Sequence, residues 1–176
     1  MKILDYRIYE GKNIYSHKKS IKLTVDLEGY KDIPSSKIPN FNYNILNILP
    51  ELREHRCGIY QEGGFVIRLE EGTYLAHICE HMIIAMHNRI GIDICFGKAR
   101  EIKDDLYYII FQYSYKQTAL AIANLAVELV NALTKNIAID FHEQLEHIKA
   151  IMKREVIGPS TEAICSAALE RGIPVM

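Results

Sequence analysis

The sequence predicts an α+β domain in which an antiparallel sheet of about four strands is covered by helices, and two periodicities predict it. Residues 2–10 and 20–28, and again 93–102 and 106–115, alternate apolar with polar positions and use β-branched and aromatic side chains, the pattern of half-buried strands. Residues 73–89, 118–133 and 141–154 instead repeat apolar positions at helical spacing. Strand pairs followed by helices, without regular strand–helix alternation, give segregated layers and not a parallel sheet.

Taken in order, the first two strands are joined by the loop 11–19, and the prolines and serines of Asp32–Pro39 form a second loop. Phe41, Ile45, Leu46 and Leu49 make a short helical stripe that stops at Pro50. The polar, glycine-bearing stretch Leu52–Phe65 leads through residues 66–69 into the long helix, with Gly63-Gly64 as a tight turn. Lys103-Asp104-Asp105 reads as a hairpin turn between the last two strands. Ile122, Leu125, Ala126, Leu129 and Val130 face inward on one later helix; Leu145, Ile148 and Met152 do so on the next. Gly158-Pro-Ser-Thr161 breaks the pattern, so residues 1–157 are expected to form the domain. Residues 158–176, with a short helix at 162–171, are expected to be a C-terminal tail or the start of a following module.

A chain of 176 residues suits one domain. Its net charge of −1 argues against general attraction to nucleic acid or an anionic membrane. No apolar run reaches the roughly 18 residues of a membrane span, and the start lacks the apolar core of a signal peptide, so the expected location is cytoplasmic. The four cysteines are scattered without a C-x-x-C pair, which fits free thiols; Cys57 and Cys95 are the two that could supply a sulfur ligand. No P-loop or G-x-G-x-x-G is present, so no ATP site is expected.

The stretch Thr73–Arg89 carries the chemistry. Leu75, Ile78, Cys79, Met82, Met86 and Ile90 fall on one stripe, while His77, Glu80, His81 and Asn88 lie opposite with Thr73. Thr73 suits an N-cap and Gly91 a C-cap, for a helix of about five turns. His77-x-x-Glu80-His81 is the inverted zinc-peptidase arrangement: two imidazoles one turn apart can converge on one ion, and the glutamate can act as general base on a water. A catalytic zinc would need one more protein ligand. The plainer alternative is a solvated helix face whose His and Glu pair with neighbours.

Lys2-Ile-Leu-Asp5, Asn13-Ile-Tyr-Ser-His17, Asp32-Ile-Pro34, Glu54-His55-x-Cys57, Glu62-Gly-Gly-Phe65, Glu71-Gly-Thr-Tyr-Leu-Ala-His77-x-x-Glu80-His81, Phe96-Gly-Lys-x-Arg100, Leu125-Ala-Val-Glu-Leu129 and Gly158-Pro-Ser-Thr161 occur in this order over most of the chain. Together they resemble the N-terminal domain of the cyanophycin synthetases. In that family an ATP-grasp module and a Mur-ligase-like module follow, and the whole builds cyanophycin, a poly-aspartate backbone with arginine on each side-chain carboxylate. The resemblance implies a domain that holds the polymer and, in some members, trims it into primers as a metallohydrolase. A non-catalytic domain that docks the ligase modules is the alternative.

The helix order is also similar to a half-unit of insulysin-type peptidases, whose third ligand is a glutamate on a later helix. By that analogy Glu143, with Glu146 second, would complete a zinc site with His77 and His81 beside Glu80 as the catalytic residue. A polymer bearing guanidinium and carboxylate groups is best met by mixed charges, for which Arg100, Lys98, Glu62 and Glu71 are the expected contacts. The chain departs from the family pattern at Lys116-Gln117 and Asn124, where acidic residues and an arginine are expected.

Overall fold

A computed structural model describes residues 1–59 and 61–175; Tyr60 and Met176 lie outside the described residues. Four strands, β1 (Lys2–Tyr9), β2 (Ser20–Asp26), β3 (Gly97–Lys103) and β4 (Leu106–Gln112), form one antiparallel sheet in the order β1-β2-β4-β3. The register sets Ile21 opposite Phe111 and Leu23 opposite Ile109. These residues and Val25 line one fully buried face, the inward half of the period-two pattern.

Among the described residues there are six α-helices: α1 (Phe41–Ile48), α2 (Gly64–Glu71), α3 (Leu75–Arg89), α4 (Lys116–Thr134), α5 (Phe141–Glu155) and α6 (Pro159–Glu170). α3 packs on β3, β4 and α4, and α5 packs on α4. The expected α+β architecture and sheet are therefore present, with helices on one side of the sheet.

Several boundaries differ from expectation, each for a local reason. α2 was not expected as a separate helix: eight residues between Gly63 (φ 78°) and Gly72 (φ 97°) are too few to show a periodicity of their own. β3 begins at Gly97 and not at residue 93, because the chain first folds back over the end of α3. There Ile92 N–H donates to the His87 carbonyl at 2.9 Å and Ile94 N–H to Asn88 Oδ1 at 3.1 Å. α4 starts two residues early, since the Glu155 carboxylate accepts from Gln117 N–H at 2.8 Å and Thr118 N–H at 2.7 Å. That contact satisfies orphan donors at the N-terminus of α4 from the last residue of α5.

α4 passes as a membrane-span candidate by length and a mean hydropathy of 1.2 alone, but 56% of it is buried inside the domain. Its Ile122, Leu125, Ala126, Leu129 and Val130 are instead buried in the core. α6 projects from this body with Ile164 71% and Leu169 60% exposed.

Candidate metal centre

α3 is buried on both sides. Its apolar stripe lies in the core, as the spacing predicts, but Glu80 and His81 on the opposite face are each only 7% exposed. His55, Cys57 and Phe65 cover this polar face and β3 flanks it, so the solvated-face alternative does not describe it. Thr73 does not cap the helix. Tyr74 occupies that position, and the Thr73 hydroxyl lies 2.8 Å from His77 Nδ1. The helix is 15 residues long, about four turns, and ends at Ile90 before Gly91, whose φ of 86° suits a glycine just past a helix.

The covering segment is shaped by two close approaches. A β-carbon on Gly64 would sit 2.0 Å from the Arg56 carbonyl oxygen, so only glycine lets α2 begin against residues 55–57. Phe65 N–H donates to the His55 carbonyl at 2.9 Å across the same contact. Cys57 and Gly58 then turn through left-handed conformations, φ 45° and 68°, and Cys57 Sγ arrives 3.1 Å from His77 Nε2.

Ligand-capable atoms of Cys57, His77 and His81 all lie within 4.8 Å of one another. The two imidazoles are perpendicular, with centroids 4.8 Å apart. Phe65 stacks on His81 at 4.2 Å, and His55 Nδ1 lies 2.8 Å from His81 Nδ1. Two nitrogens and one sulfur are a zinc-type donor set, and three protein ligands leave a fourth position open. The cluster lines a cleft of about 750 Å³, so the residues present fit such an ion.

Burial holds His77 down at about 4, with Arg68 and Arg100 adding to the effect, and holds His81 well below the ordinary histidine range. Both rings are therefore neutral at physiological pH, the form in which imidazole ligates a metal. Burial pushes the Cys57 thiol up, with Glu80 contributing. Glu80 is raised to about 7 by burial, against the opposing hydrogen bond from Ala99 N–H. β3 can come this close only because residue 97 is glycine: a β-carbon there would lie 2.8 Å from Glu80 Cγ. A carboxylate near half-ionisation at neutral pH, lining the same open cleft as the three ligand atoms, is a general-base arrangement.

Residues 22–135 match the family model described as the cyanophycin synthase-like N-terminal domain. The chain belongs to that family. Over its full length it is 35% identical to the cyanophycin synthetase of Geminocystis herdmanii, 34% to that of a Synechocystis species and 32% to that of Crocosphaera subtropica. It spans 21% of the length of each of these relatives.

In this cyanophycin synthase-like domain the cleft also takes in Lys98 and Arg100, two of the four expected polymer contacts. The other two do not line it: Glu62 is exposed on the loop before α2, and Glu71 pairs with Arg68 at 3.6 Å. Glu143, expected as third ligand, is not brought to the histidines. It lies exposed in a separate groove between α4 and α5 with Asn124 and His147, because α5 packs on the far side of α4. Glu146 is also exposed and binds Lys149 at 2.7 Å. The atom beside the histidine pair is the Cys57 sulfur; Cys95 lines the cleft but is exposed and outside the cluster. Sequence reasoning missed His55, Thr73 as a histidine partner, Arg68 and Glu101. Glu54-His55-x-Cys57 held the signal for the first of these, since one short motif delivers both His55 and Cys57 to α3.

Proposed function

We propose that this domain binds an aspartate–arginine polymer of the cyanophycin type in the α3–β3 cleft and hydrolyses it as a metal-dependent enzyme. The observation that carries this reading is the convergence of Cys57, His77 and His81 next to a buried Glu80 in an open cleft. The likeness of the helix order to inverted-motif peptidases belongs to the same reading, with Cys57 in place of the glutamate on a later helix.

Cys57, His77 and His81 would hold a zinc-type ion. When bound, the ion supplies Lewis-acid polarisation of the scissile amide and of a water. Glu80, buried against β3 at Gly97, accepts the proton of the attacking water and returns it to the leaving amine. Arg68, Lys98 and Arg100 on the cleft wall attract substrate carboxylates, and Glu101 offers a partner to guanidinium groups.

Metal analysis of purified protein, followed by incubation with the polymer, tests this. The native protein is expected to carry about one equivalent of zinc and to shorten the polymer, and Glu80→Gln protein is expected to leave it intact. Polymer left whole by zinc-loaded native protein sinks the hydrolase.

A second reading, docking of the ligase modules of longer relatives, has support from α6. Ile164, Leu169, Ile173 and Val175 are exposed apolar residues on and just after α6, and the chain spans 21% of the length of the Geminocystis relative. Failure of the domain to be retained on insoluble polymer would favour it.

A further inference from the structure

Each candidate ligand histidine has a second, non-ligating contact, and both contacts come from outside α3. His77 Nε2 faces Cys57 Sγ at 3.1 Å while its Nδ1 faces Thr73 Oγ1 at 2.8 Å. A thiol is better as a hydrogen donor to a ring nitrogen than as an acceptor from one, so the Cys57 S–H donates to Nε2 and the ring proton sits on Nδ1. Nδ1–H then donates to the Thr73 hydroxyl, and Thr73 is itself pinned: Ser35 N–H donates to its carbonyl at 2.9 Å.

His81 is held in parallel. Its Nδ1 is 2.8 Å from His55 Nδ1, so a single proton lies between the two rings. Nε2 has no hydrogen-bond partner among the described residues, although the residue is 7% exposed and lines the cleft. A proton on Nε2 would be left without a protein acceptor, whereas a proton on Nδ1 finds one in His55. His55 is in turn placed by its backbone, whose carbonyl accepts from Phe65 N–H at 2.9 Å, and by Phe65 itself, 6.3 Å from its ring.

We propose that His55 and Thr73 are positioning residues that fix the tautomers of His81 and His77, presenting both Nε2 lone pairs for ligation. The role rests on the metal reading above and deepens it. Ligand imidazoles in metal sites are usually oriented by acceptors on the remote nitrogen, and loss of such an acceptor costs about 10–100-fold in metal affinity. Here the acceptors are a hydroxyl and a second imidazole, one from the end of α2 and the other from the turn that also delivers Cys57. The loop before α2 thus supplies a ligand and orients another within residues 55–57.

The tautomers can be read without metal. In ¹⁵N-labelled, metal-free protein, long-range ¹H–¹⁵N correlation is expected to show His77 and His81 protonated on Nδ1. His55→Leu is expected to shift His81 toward the Nε2–H form. His55→Asn, whose Oδ1 hangs from Cγ as Nδ1 does, is expected to keep the native form. Thr73→Ser against Thr73→Val makes the same comparison for His77.

With zinc, chelator competition is expected to show affinity about 10–100-fold weaker in His55→Leu and within about threefold of native in His55→Asn. An Nε2–H tautomer for His81 in the native protein overturns the proposal, and so does equal zinc affinity of native and His55→Leu protein. So does a changed cobalt absorption spectrum in His55→Asn, which would make His55 a ligand. Should His55→Leu fail to fold, the native tautomers and the Asn variant still decide. Native protein that shows the expected tautomers yet binds no zinc sinks the metal reading and leaves the hydrogen-bond assignment standing.

Discussion

The two ends of α3 each bury histidine, with different consequences. His87, near the C-terminus, is fully buried, is held at about 4 by burial, and donates from Nδ1 to the Ile83 carbonyl at 2.8 Å. Its Nε2 has no partner, and its ring lies 5.9 Å from Phe111 in the core. His77 is also held at about 4 by burial, yet it stands with His81 and Cys57 at the wall of a cleft. Burial and a depressed pKa are shared by both ends; convergence of donors on reachable space occurs at one. A displaced histidine pKa alone therefore does not mark a functional site in this molecule.

The largest test of the contrast is at the cleft end. Glu80→Gln is expected to lower polymer hydrolysis by about 10²–10⁴-fold, the usual contribution of a general base. The same substitution is expected to alter stability in the opposite sense, because a carboxyl raised to about 7 favours the fold only while protonated. The native advantage is full below the unfolded value of about 4.5 and is lost as pH rises through 7. Metal-free Glu80→Gln protein should therefore be more stable than native at pH 8, by on the order of 3 kcal/mol, with the gap closing toward pH 4. Urea unfolding at the two pH values measures it; a gap that does not vary with pH removes the buried carboxylate from the account.

At the other end of the helix, His87 lies below its unfolded value of about 6.5 and must bind a proton on unfolding in acid. Its contribution is intact above pH 6.5 and is lost as pH falls to about 4, on the order of 3 kcal/mol in total. His87→Leu should flatten that part of the acid-stability profile and leave zinc binding unchanged. Weaker zinc binding in this variant would erase the distinction between the two ends.

Gly64→Ala should cost about 1–3 kcal/mol in unfolding free energy, the range for overpacking, because the added carbon meets the Arg56 carbonyl. By displacing residues 55–57 it should also weaken zinc binding. Unchanged affinity would mean that the segment reaches α3 without help from α2. The smallest effect is expected from Lys98→Ala: at most about 1 kcal/mol in polymer affinity, disappearing in high salt as for an exposed charge. Binding titrations at low and high ionic strength measure it.

Much of the fold could be read along the chain because its cause is periodic. The alternation in residues 20–28 and 106–115 becomes the buried row of Ile21, Leu23, Val25, Ile109 and Phe111, and the stripe of α3 becomes core. Glu143 shows where this reasoning ends. Analogy places it near the histidines, but α4 stands between, since which face of α4 receives α5 depends on packing and not on α5 alone. α2 escaped for another reason: eight residues bounded by glycines carry too little pattern, and only the contact with residues 55–57 gives the helix its purpose.

The sequence alone determined that this chain makes a four-stranded antiparallel sheet under helices, and that two imidazoles and a carboxyl project from one side of α3. Local spacing dictates both. That this side is roofed by His55, Cys57 and Phe65, that a cysteine 20 residues upstream of His77 completes the donor set, and that Glu80 meets the edge of β3 were decided by tertiary structure. Those contacts join residues far apart in the chain through a left-handed turn and two glycine approaches, and no periodicity in the sequence encodes such meetings.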